Sequence, residues 1–448
     1  MSKTAASPEP AIAPAPRRPA RRVAWLLGPA LVAGVAYLDP GNVASNMTAG
    51  ARYGYLLVWV VVIGNVMAWL IQYLSAKLGI VTGQSLPEAL GDRFRSAAAR
   101  RAYWLQAELV AMATDVAEVI GGAVALWLLF GVPLLWGGVI TGAVSIALLL
   151  IQSRRGARSF EFVIIGLVVI IALGFTYGVF LAPPDPAGVV AGLIPRFEGA
   201  DSVLLAASIL GATIMPHAIY AHSALARDRF RPPPLSPREA DTHSTAGIRA
   251  HERDYALDGG GERLDAARLL RATRWDVTIA MAIAGTVNLC ILLLAAASLA
   301  GVPGTDSLEG AHAALEAGIG PVVATLFAVG LLASGLASTA VGAYAGAEIM
   351  HGLLRVRVPL LARRLVTLIP ALVILAAGVD PTFALIISQV VLSFGVPFAL
   401  VPLVALTARR DVLGAHRNRI VTTVAGILAS VFLIALNAVL LWLVFTGG

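Results

Sequence analysis

The chain has 448 residues, of which 58% are hydrophobic and 13% are charged, and its mean hydropathy is +0.82. Soluble domains carry about 25% charged residues, so the composition excludes an ordinary soluble protein and predicts a polytopic helical membrane protein. The net charge of +7 does not indicate nucleic-acid binding, because the basic residues are concentrated in certain connections between apolar runs. The single cysteine, Cys290, excludes an intramolecular disulfide.

Eleven apolar segments are predicted to cross the membrane. They cover residues 23–50, 56–80, 103–130, 134–152, 160–182, 203–226, 274–299, 320–350, 363–378, 382–407 and 420–445. Residues 1–22 are rich in Ala and Pro and are predicted to be a disordered cytoplasmic N-terminus. Residues 23–446 are predicted to form one transmembrane domain. Its cytoplasmic loop 227–273 is predicted to be largely disordered, because it contains runs of proline and glycine.

The distribution of basic residues predicts the orientation of the chain. If the N-terminus is cytoplasmic, Arg52 and Arg196 are the only two of the 33 lysines and arginines on the outer side. Such an excess of inner positive charge is typical of plasma-membrane proteins. Eleven spans then place the C-terminus outside the cytoplasm. The lipid bilayer is an expected partner, and no nucleic acid or obligatory protein partner is indicated.

Two of the predicted helices are interrupted near their middle. The first contains Asp-Pro-Gly-Asn at Asp39–Asn42, and the sixth contains Met-Pro-His at Met215–His217. Proline and glycine favour unwinding of a helix, and an aspartate inside a membrane usually has a function. The spacing of the two breaks divides the first ten helices into two five-helix halves of opposite orientation. This arrangement is typical of transporters with a central ion site.

The breaks offer a mixed set of metal donors. Asp39 and Asn42 supply hard oxygens, Met215 supplies a soft thioether, and the prolines are expected to free the carbonyls of Ala36 and Ala212. Cages of oxygen alone suit Mg²⁺ or Ca²⁺, whereas a thioether favours softer transition metals. Each feature also has a plainer interpretation, since proline kinks are usually structural and methionines usually pack in the core.

Further polar residues lie inside predicted helices. Asp115 and Glu118 are three residues apart and therefore share one face of helix 3. His217 is a candidate either to relay protons or to hydrogen-bond the broken helix. Three other side chains are predicted to be gating or structural, mainly through interhelical hydrogen bonds: His222, Asn65 and Asn288.

Both interruption motifs resemble those of the Nramp family, the proton-coupled divalent metal transporters. The resemblance extends to residues 114–121 in helix 3 and to residues 388–393 and 397–400 in helix 10. It implies a LeuT-type fold with a 5+5 inverted repeat, broken helices 1 and 6, and eleven transmembrane helices. It also implies import of Mn²⁺ or Fe²⁺ together with H⁺ by alternating access. The metal is then a transported substrate, and neither a resident cofactor nor an enzymatic activity is expected.

The resemblance also implies roles for single residues. The metal ligands would be the side chains of Asp39, Asn42 and Met215, the carbonyls of Ala36 and Ala212, and Gln389 in one conformation. The proton pathway would comprise Asp39, Asp115, Glu118, His217, Arg363 and Arg364. The alternative for the carboxylates of helix 3 and the arginines of helix 9 is a purely structural ion pair.

Two positions depart from the common family pattern, at Ala218 and at the pair Phe394–Gly395.

Other functions remain open from the residues alone. A Mg²⁺ transporter of the same fold would lack the sulfur of Met215, and a sodium-coupled amino-acid transporter would have small residues in place of Asp39. Inverted repeats disfavour a passive channel, and the sequence contains no nucleophile–base arrangement or phosphate loop typical of enzymes.

Overall fold

The computed structural model describes residues 28–155, 157–230, 255–256, 263–264, 266–356 and 358–446. The predicted disordered segment 1–22 and most of the loop 227–273 lie outside the described residues. The two ends of that loop are helical, because the sixth helix continues to Arg229 and the seventh begins at Ala266.

Within the described ranges the chain forms eleven main helices at the positions of the predicted spans, and two of them are broken; seven of the eleven are long and apolar enough to cross a membrane. They are α1 (Pro29–Gly34 and Pro40–Tyr53, joined by the 3-10 turn Val35–Leu38), α2 (Val58–Thr82), α3 (Ala97–Phe130), α4 (Leu134–Arg155), α5 (Ala157–Leu181), α6 (Gly199–Ile214 and Pro216–Arg229), α7 (Ala266–Ser298), α8 (Pro321–Ile349, followed by the π turn Met350–Leu354), α9 (Leu360–Ala376), α10 (Pro381–Ala408) and α11 (Ile420–Thr446). The two halves of α1 are α1a and α1b, and those of α6 are α6a and α6b. The predicted breaks in helices 1 and 6 are confirmed.

Short elements connect the membrane helices. They are the helices Leu86–Gly91, Pro186–Ala191, Leu308–Gly318 and Arg410–Leu413, the 3-10 turn Gly414–His416, and the two-residue strands β1 (Tyr255–Ala256) and β2 (Arg263–Leu264), which pair antiparallel. The first begins with a capping box, in which the side chain of Ser85 and that of Glu88 each bond the other's backbone N–H. Sequence reasoning did not predict these short helices, because they are too short to show a periodic apolar pattern.

The broken helices lie at the centre of the bundle. α1b packs against α7, α6a packs against α10, and α3 packs against α8. α11 lies against α10 and α6a, outside the ten-helix core. Because four spans lie between α1 and α6, the two broken helices run in opposite directions through the bundle, as an inverted repeat requires.

The two ends of the bundle carry different ion pairs. At one end, here called the Arg52 face, the exposed Arg52 lies 2.8 Å from Asp306 and 3.8 Å from Asp201. At the other end, the Arg227 face, the mostly buried Arg227 lies 2.6 Å from Glu88 and 3.2 Å from Glu348. Exposed pairs contribute little to stability, so the Arg227 face is the more firmly held end.

The pKa of Glu88 reflects this setting on the Arg227 face. Burial of Glu88 acts to raise its pKa, but the hydrogen bonds from Ser85 and Arg227 outweigh that effect and lower it below its ordinary value. The carboxylate therefore stays charged and joins the short helix Leu86–Gly91 to α6b.

Candidate metal site and carboxylate network

The break in α1 is stabilised by its own polar residues. Asp39 has extended backbone angles and caps α1b, with its Oδ1 accepting a hydrogen bond from the Asn42 N–H at 2.8 Å. Pro40 occupies the first helical position, where a missing N–H costs nothing. The Tyr37 carbonyl, freed by the break, accepts the side-chain amides of Asn42 at 2.9 Å and Asn288 at 3.0 Å. Asn288 thus holds the unwound turn.

The break in α6 is centred on Met215. This residue has φ 40° and ψ 98°, a region that non-glycine residues rarely adopt. α6a ends just before Met215 and α6b begins just after it, at Pro216. Backbone strain of this kind persists only where the surrounding structure imposes it, and it is concentrated at functional sites. The Met215 side chain is fully buried.

The two breaks meet, and α10 joins them. The Asn42 Nδ2 donates to the Ala212 carbonyl of α6a at 2.8 Å. From α10, the Gln389 Nε2 donates to Asp39 Oδ2 at 3.2 Å. Gly41 allows this approach, because a Cβ at that position would lie 1.8 Å from Gln389 Nε2. Four of the predicted metal-site residues therefore lie in one connected group.

The chemistry of this group suits a divalent transition metal. Asp39, Asn42, Met215 and Gln389 are all fully buried. The amide oxygens Asn42 Oδ1 and Gln389 Oε1 accept no hydrogen bond from the residues that the structure describes. Buried polar atoms are nearly always paired, so two free amide oxygens next to a carboxylate are candidate metal donors. The thioether of Met215, buried at the α6 break, is the soft donor expected from the sequence.

The two carbonyl ligands expected from the resemblance differ in their surroundings. Ala36 is fully buried in the 3-10 turn, three residues before Asp39. The Ala212 carbonyl already accepts the Asn42 amide. This hydrogen bond uses one of the two lone pairs of the Ala212 oxygen and leaves the other as a candidate metal donor.

The carboxylates of α3 and the arginines of α9 form one buried network, and it includes all four predicted members. Arg364 Nη1 lies 2.5 Å from Asp115 Oδ1 and 3.1 Å from Glu118 Oε2. Arg363 Nη1 lies 3.1 Å from Asp115 Oδ2, and its Nε lies 3.0 Å from Glu108 Oε1. Each of these side chains is at most 9% exposed.

Sequence reasoning missed the role of Glu108 in this network. Glu108 lies seven residues before Asp115, almost two helical turns, and therefore on the same face of α3. That spacing was the available signal. With Glu108 included, three carboxylates face two guanidinium groups, which leaves one excess negative charge if all five are ionised. A single proton would neutralise it.

Residues of neighbouring helices accommodate the network: a glycine leaves space for it, and two hydroxyls accept hydrogen bonds from it. A Cβ on Gly346 of α8 would lie 2.0 Å from the Arg363 Cζ. The Ser145 hydroxyl accepts from Arg364 Nε at 3.0 Å, and the Thr339 hydroxyl accepts from Arg364 Nη2 at 3.3 Å. The arginine is therefore satisfied on every side, as a buried charge must be.

Two contacts connect the network to the breaks. On α3, Gly121 lies against Pro40 so closely that a Cβ would be 2.1 Å from the proline Cβ. Glu118 is one turn away from this contact. The Thr114 hydroxyl lies 3.1 Å from Nδ1 of His217 in α6b. His217, at the α6 break, thus binds the residue before Asp115, and this hydrogen bond fits a relay and a structural role equally.

The remaining predicted residues have structural partners. His222 Nδ1 lies 2.7 Å from Gln72 Oε1, and the Gln72 amide donates to the Tyr37 hydroxyl, so α6b, α2 and the unwound part of α1 are linked. Asn65 of α2 is half-buried and packs against Gly285 of α7. A gating role for these residues stays a prediction.

The two departures from the family pattern lie near the α6 break. Ala218 is buried, and its N–H bonds the Met215 carbonyl at 3.1 Å. A Cβ on Gly395 would lie 2.5 Å from Val110 and 3.3 Å from Pro216, so this position allows α10 to pack closely on α3 and α6b.

Comparison with known proteins places this geometry in a family. A sequence model described as "Nramp: Natural resistance-associated macrophage protein-like" matches residues 30–443. The divalent metal cation transporter MntH of Mycobacterium tuberculosis (strain ATCC 25618 / H37Rv) is 56% identical over 431 residues, which cover 96% of this chain and 94% of the relative.

Two solved structures of transporters also resemble this chain. The crystal structure of a manganese transporter from Eremococcus coleocola, in complex with an aromatic bis-isothiourea substituted compound, superposes with a TM-score of 0.77 at 32% identity, covering 93% of this chain and 86% of that one. MhsT, in complex with L-phenylalanine, superposes with a TM-score of 0.57 at 12% identity over 94% of this chain and 98% of its own, which shows a shared fold only. The chain therefore has the LeuT-type fold, is a membrane transporter and not an enzyme, and belongs to the Nramp family.

Proposed function

We propose that this protein imports divalent transition metals, Mn²⁺ or Fe²⁺, together with protons by alternating access. The observation that carries the proposal is the hydrogen bond of 2.8 Å between Asn42 and the Ala212 carbonyl. It joins the two broken helices close to the buried carboxylate of Asp39 and to two amide oxygens that have no partner among the described residues, and the buried Met215 forms the break in α6.

In this proposal the metal ion is the substrate and binds between the breaks. Asp39 supplies the negative charge, and Asn42 and Gln389 supply amide oxygens that have no competing donor among the described residues. The Met215 sulfur disfavours Ca²⁺ and Mg²⁺, which prefer oxygen. Ala36 and Ala212 contribute carbonyls as the breaks move, and Gln389 contributes only when α10 lies close to α1b.

Protons are proposed to move from the metal site to the network of α3 and α9. A dication next to Asp39 displaces any proton that this carboxylate carries, since both compete for the same oxygens. The network accepts a proton readily, because its three carboxylates exceed its two guanidinium groups by one charge. Arg363 and Arg364 then hold the network together while its charge changes.

The direction of transport follows from the proposed orientation. We place the Arg227 face and the N-terminus in the cytoplasm and the C-terminus outside it, because nearly all basic residues then lie on the inner side of the cell membrane. The names of the relatives support the substrate class, since one is a divalent metal cation transporter and another a manganese transporter. No resident cofactor or obligatory protein partner is proposed.

Flux measurements on the purified, reconstituted protein test this function. Vesicles are loaded with a metal-sensitive dye and a pH-sensitive dye, and Mn²⁺, Fe²⁺, Co²⁺, Mg²⁺ and Ca²⁺ are added in turn. We expect saturable uptake of Mn²⁺ and Fe²⁺ that is faster when the metal side is acidic, with acidification of the lumen. Equal uptake of Mg²⁺ would favour a magnesium carrier, and non-saturating flux would favour a channel.

A further inference from the structure

A buried lysine near one end of α2 has only a neutral side-chain partner among the described residues. Lys77 is 6% exposed, and its Nζ donates to the Asn418 side-chain oxygen at 2.9 Å. Asn418 itself is fixed by the backbone and side chain of Thr407. In the described part of the chain, no carboxylate oxygen lies within 4.0 Å of the Lys77 Nζ. A buried charge whose partner is only a neutral amide is unfavourable.

A second cation lies next to it. Arg274 of α7 is exposed and lies over the ring of Tyr73, with its Cζ 5.1 Å from the ring centre. Tyr73 is one helical turn before Lys77 on the same side of α2. Arg274 thus lies about one helical turn from Lys77 along α2. The two cations repel each other, so an anion between them would remove an unfavourable contact as well as add two favourable ones.

The position of Lys77 and Arg274 along their helices matches the headgroup region of a bilayer. Lys77 lies five residues before the end of α2, about 7.5 Å along the helix axis. Trp275, next to Arg274, is 67% exposed, and the Trp69 indole donates to the Thr278 hydroxyl at 2.9 Å. Tryptophans of this kind mark the interface between lipid headgroups and acyl chains.

The neighbouring surface suits acyl chains. Ile420 and Val421, at the start of α11 and close behind Asn418, are 83% and 80% exposed. A molecule bound here would therefore meet cations at one end and apolar side chains at the other. A phospholipid has this polarity, whereas a soluble anion does not.

We propose that the cluster of Tyr73, Lys77, Arg274 and Asn418 binds the phosphate group of an anionic phospholipid. The Lys77 ammonium has three donors and gives one to Asn418, which leaves two for phosphate oxygens. The Arg274 guanidinium contributes further charge-assisted hydrogen bonds. The bound lipid would touch α2, α7 and the connection between α10 and α11, where Lys77 already binds Asn418.

Thermal unfolding of the full chain in an uncharged detergent tests this site. We expect phosphatidylglycerol to raise the unfolding temperature by about 3 °C, whereas phosphatidylcholine with the same acyl chains gives less than a third of this shift. Inorganic phosphate at the same concentration is the arm that distinguishes a lipid from a free anion. A shift from inorganic phosphate equal to that from phosphatidylglycerol would overturn the lipid assignment.

Variants test whether the rise in unfolding temperature caused by phosphatidylglycerol depends on this site. Lys77→Gln and Arg274→Gln should each remove most of the shift caused by phosphatidylglycerol. The matched control is Arg268→Gln, an exposed arginine at the same end of α7 that lies about 120° away around the helix. If Lys77→Gln does not fold, Arg274→Gln still decides, because that side chain is exposed. An unchanged shift in Arg274→Gln, or an equal loss in Arg268→Gln, would refute the site.

Retention of lipid gives a second readout. Native mass spectrometry of protein purified with phosphatidylglycerol should show one more retained lipid for the unmodified chain and Arg268→Gln than for Lys77→Gln or Arg274→Gln. Equal numbers in all four proteins would refute the site. Metal uptake is not needed for either measurement, so failure here is separable from failure of the proposed transport function.

Discussion

The proposed metal site, here called the pocket, and the carboxylate network lie side by side in the bundle but are built in opposite ways. The pocket lies where two helices are broken, and it combines one carboxylate with neutral donors, two of which have no hydrogen-bond partner among the described residues. The network lies between unbroken stretches of α3 and α9, and it consists of five charged side chains in direct contact.

The difference follows from what each site would have to do. A pocket for a dication that must also leave needs donors without strong partners of their own, since every existing bond would have to be broken on binding. A site for a proton needs a charge that one proton can neutralise without a large movement. Broken helices provide donors without strong partners, and rigid helices provide a charge that one proton can neutralise. Five substitutions test this division, taken in order of expected effect.

Removal of the pocket carboxylate should have the largest effect. Asp39→Ala removes the single negative charge of the pocket, and we expect it to lower Mn²⁺ uptake by roughly 100-fold or more. Asn42→Ala should act similarly, because it removes both an amide oxygen and the contact with Ala212. Uptake in reconstituted vesicles measures both. The control is Asp201→Ala, an exposed aspartate on the Arg52 face that should transport normally. Normal uptake by Asp39→Ala would refute the site.

Neutralising one carboxylate of the network should affect protons more than metal. Glu118→Gln keeps the size of the side chain and removes its charge, so the excess negative charge disappears. We expect the acceleration of uptake by a pH gradient to fall by roughly 10-fold, while Mn²⁺ binding measured by calorimetry stays unchanged. Glu309→Gln, at an exposed position of the helix Leu308–Gly318, is the control. Intact acceleration in Glu118→Gln would favour the purely structural ion pair.

Crowding the network should destabilise the protein. Gly346→Ala places a methyl group 2.0 Å from the guanidinium carbon of Arg363, and the arginine must move away from Asp115 and Glu108. We expect a loss of about 2 kcal/mol in the free energy of unfolding. Gly166→Ala is the matched control, since a Cβ there meets no atom within 4 Å. Equal unfolding temperatures of the two variants would show that the network contributes little stability.

Loss of the thioether should change selectivity more than rate. Met215→Ala leaves every oxygen donor in place, so Mn²⁺ uptake should fall by less than about 10-fold while Ca²⁺ uptake relative to Mn²⁺ rises by about 10-fold. Competition between the two ions in vesicles measures this ratio. Met47→Ala, a buried methionine of α1b outside the break, serves as the control. An unchanged ratio would remove Met215 from the ligand set.

Some parts of the site could be predicted because they depend on local chemistry. Pro40 and Pro216 disrupt helices wherever they occur, and Asp39 is an effective cap for the helix that restarts after it. The lengths of the apolar segments predicted the membrane helices, and the spacing of Asp115 and Glu118 predicted that both lie on one face of α3. The contact of the predicted α9 arginines with these carboxylates came from the family resemblance, not from spacing.

Other parts depended on packing between segments far apart in the chain. Gln389 reaches Asp39 across 350 positions, and Gly41 is needed only because Gln389 lies so close. Glu108 joined the network because Arg363 lies opposite it. The hydrogen bond that holds the Ala212 carbonyl could not be read from either motif alone.

The sequence by itself thus determined that there are two breaks, which side chains lie in them, and that the chain spans a membrane. These properties depend on backbone conformation and on transfer from water to lipid, and both act residue by residue. Only the tertiary structure decided which donors are free and which are already paired. Whether two polar atoms on different helices are paired depends on differences of a few tenths of an ångström in the distance between them. The packing of the whole bundle sets that distance.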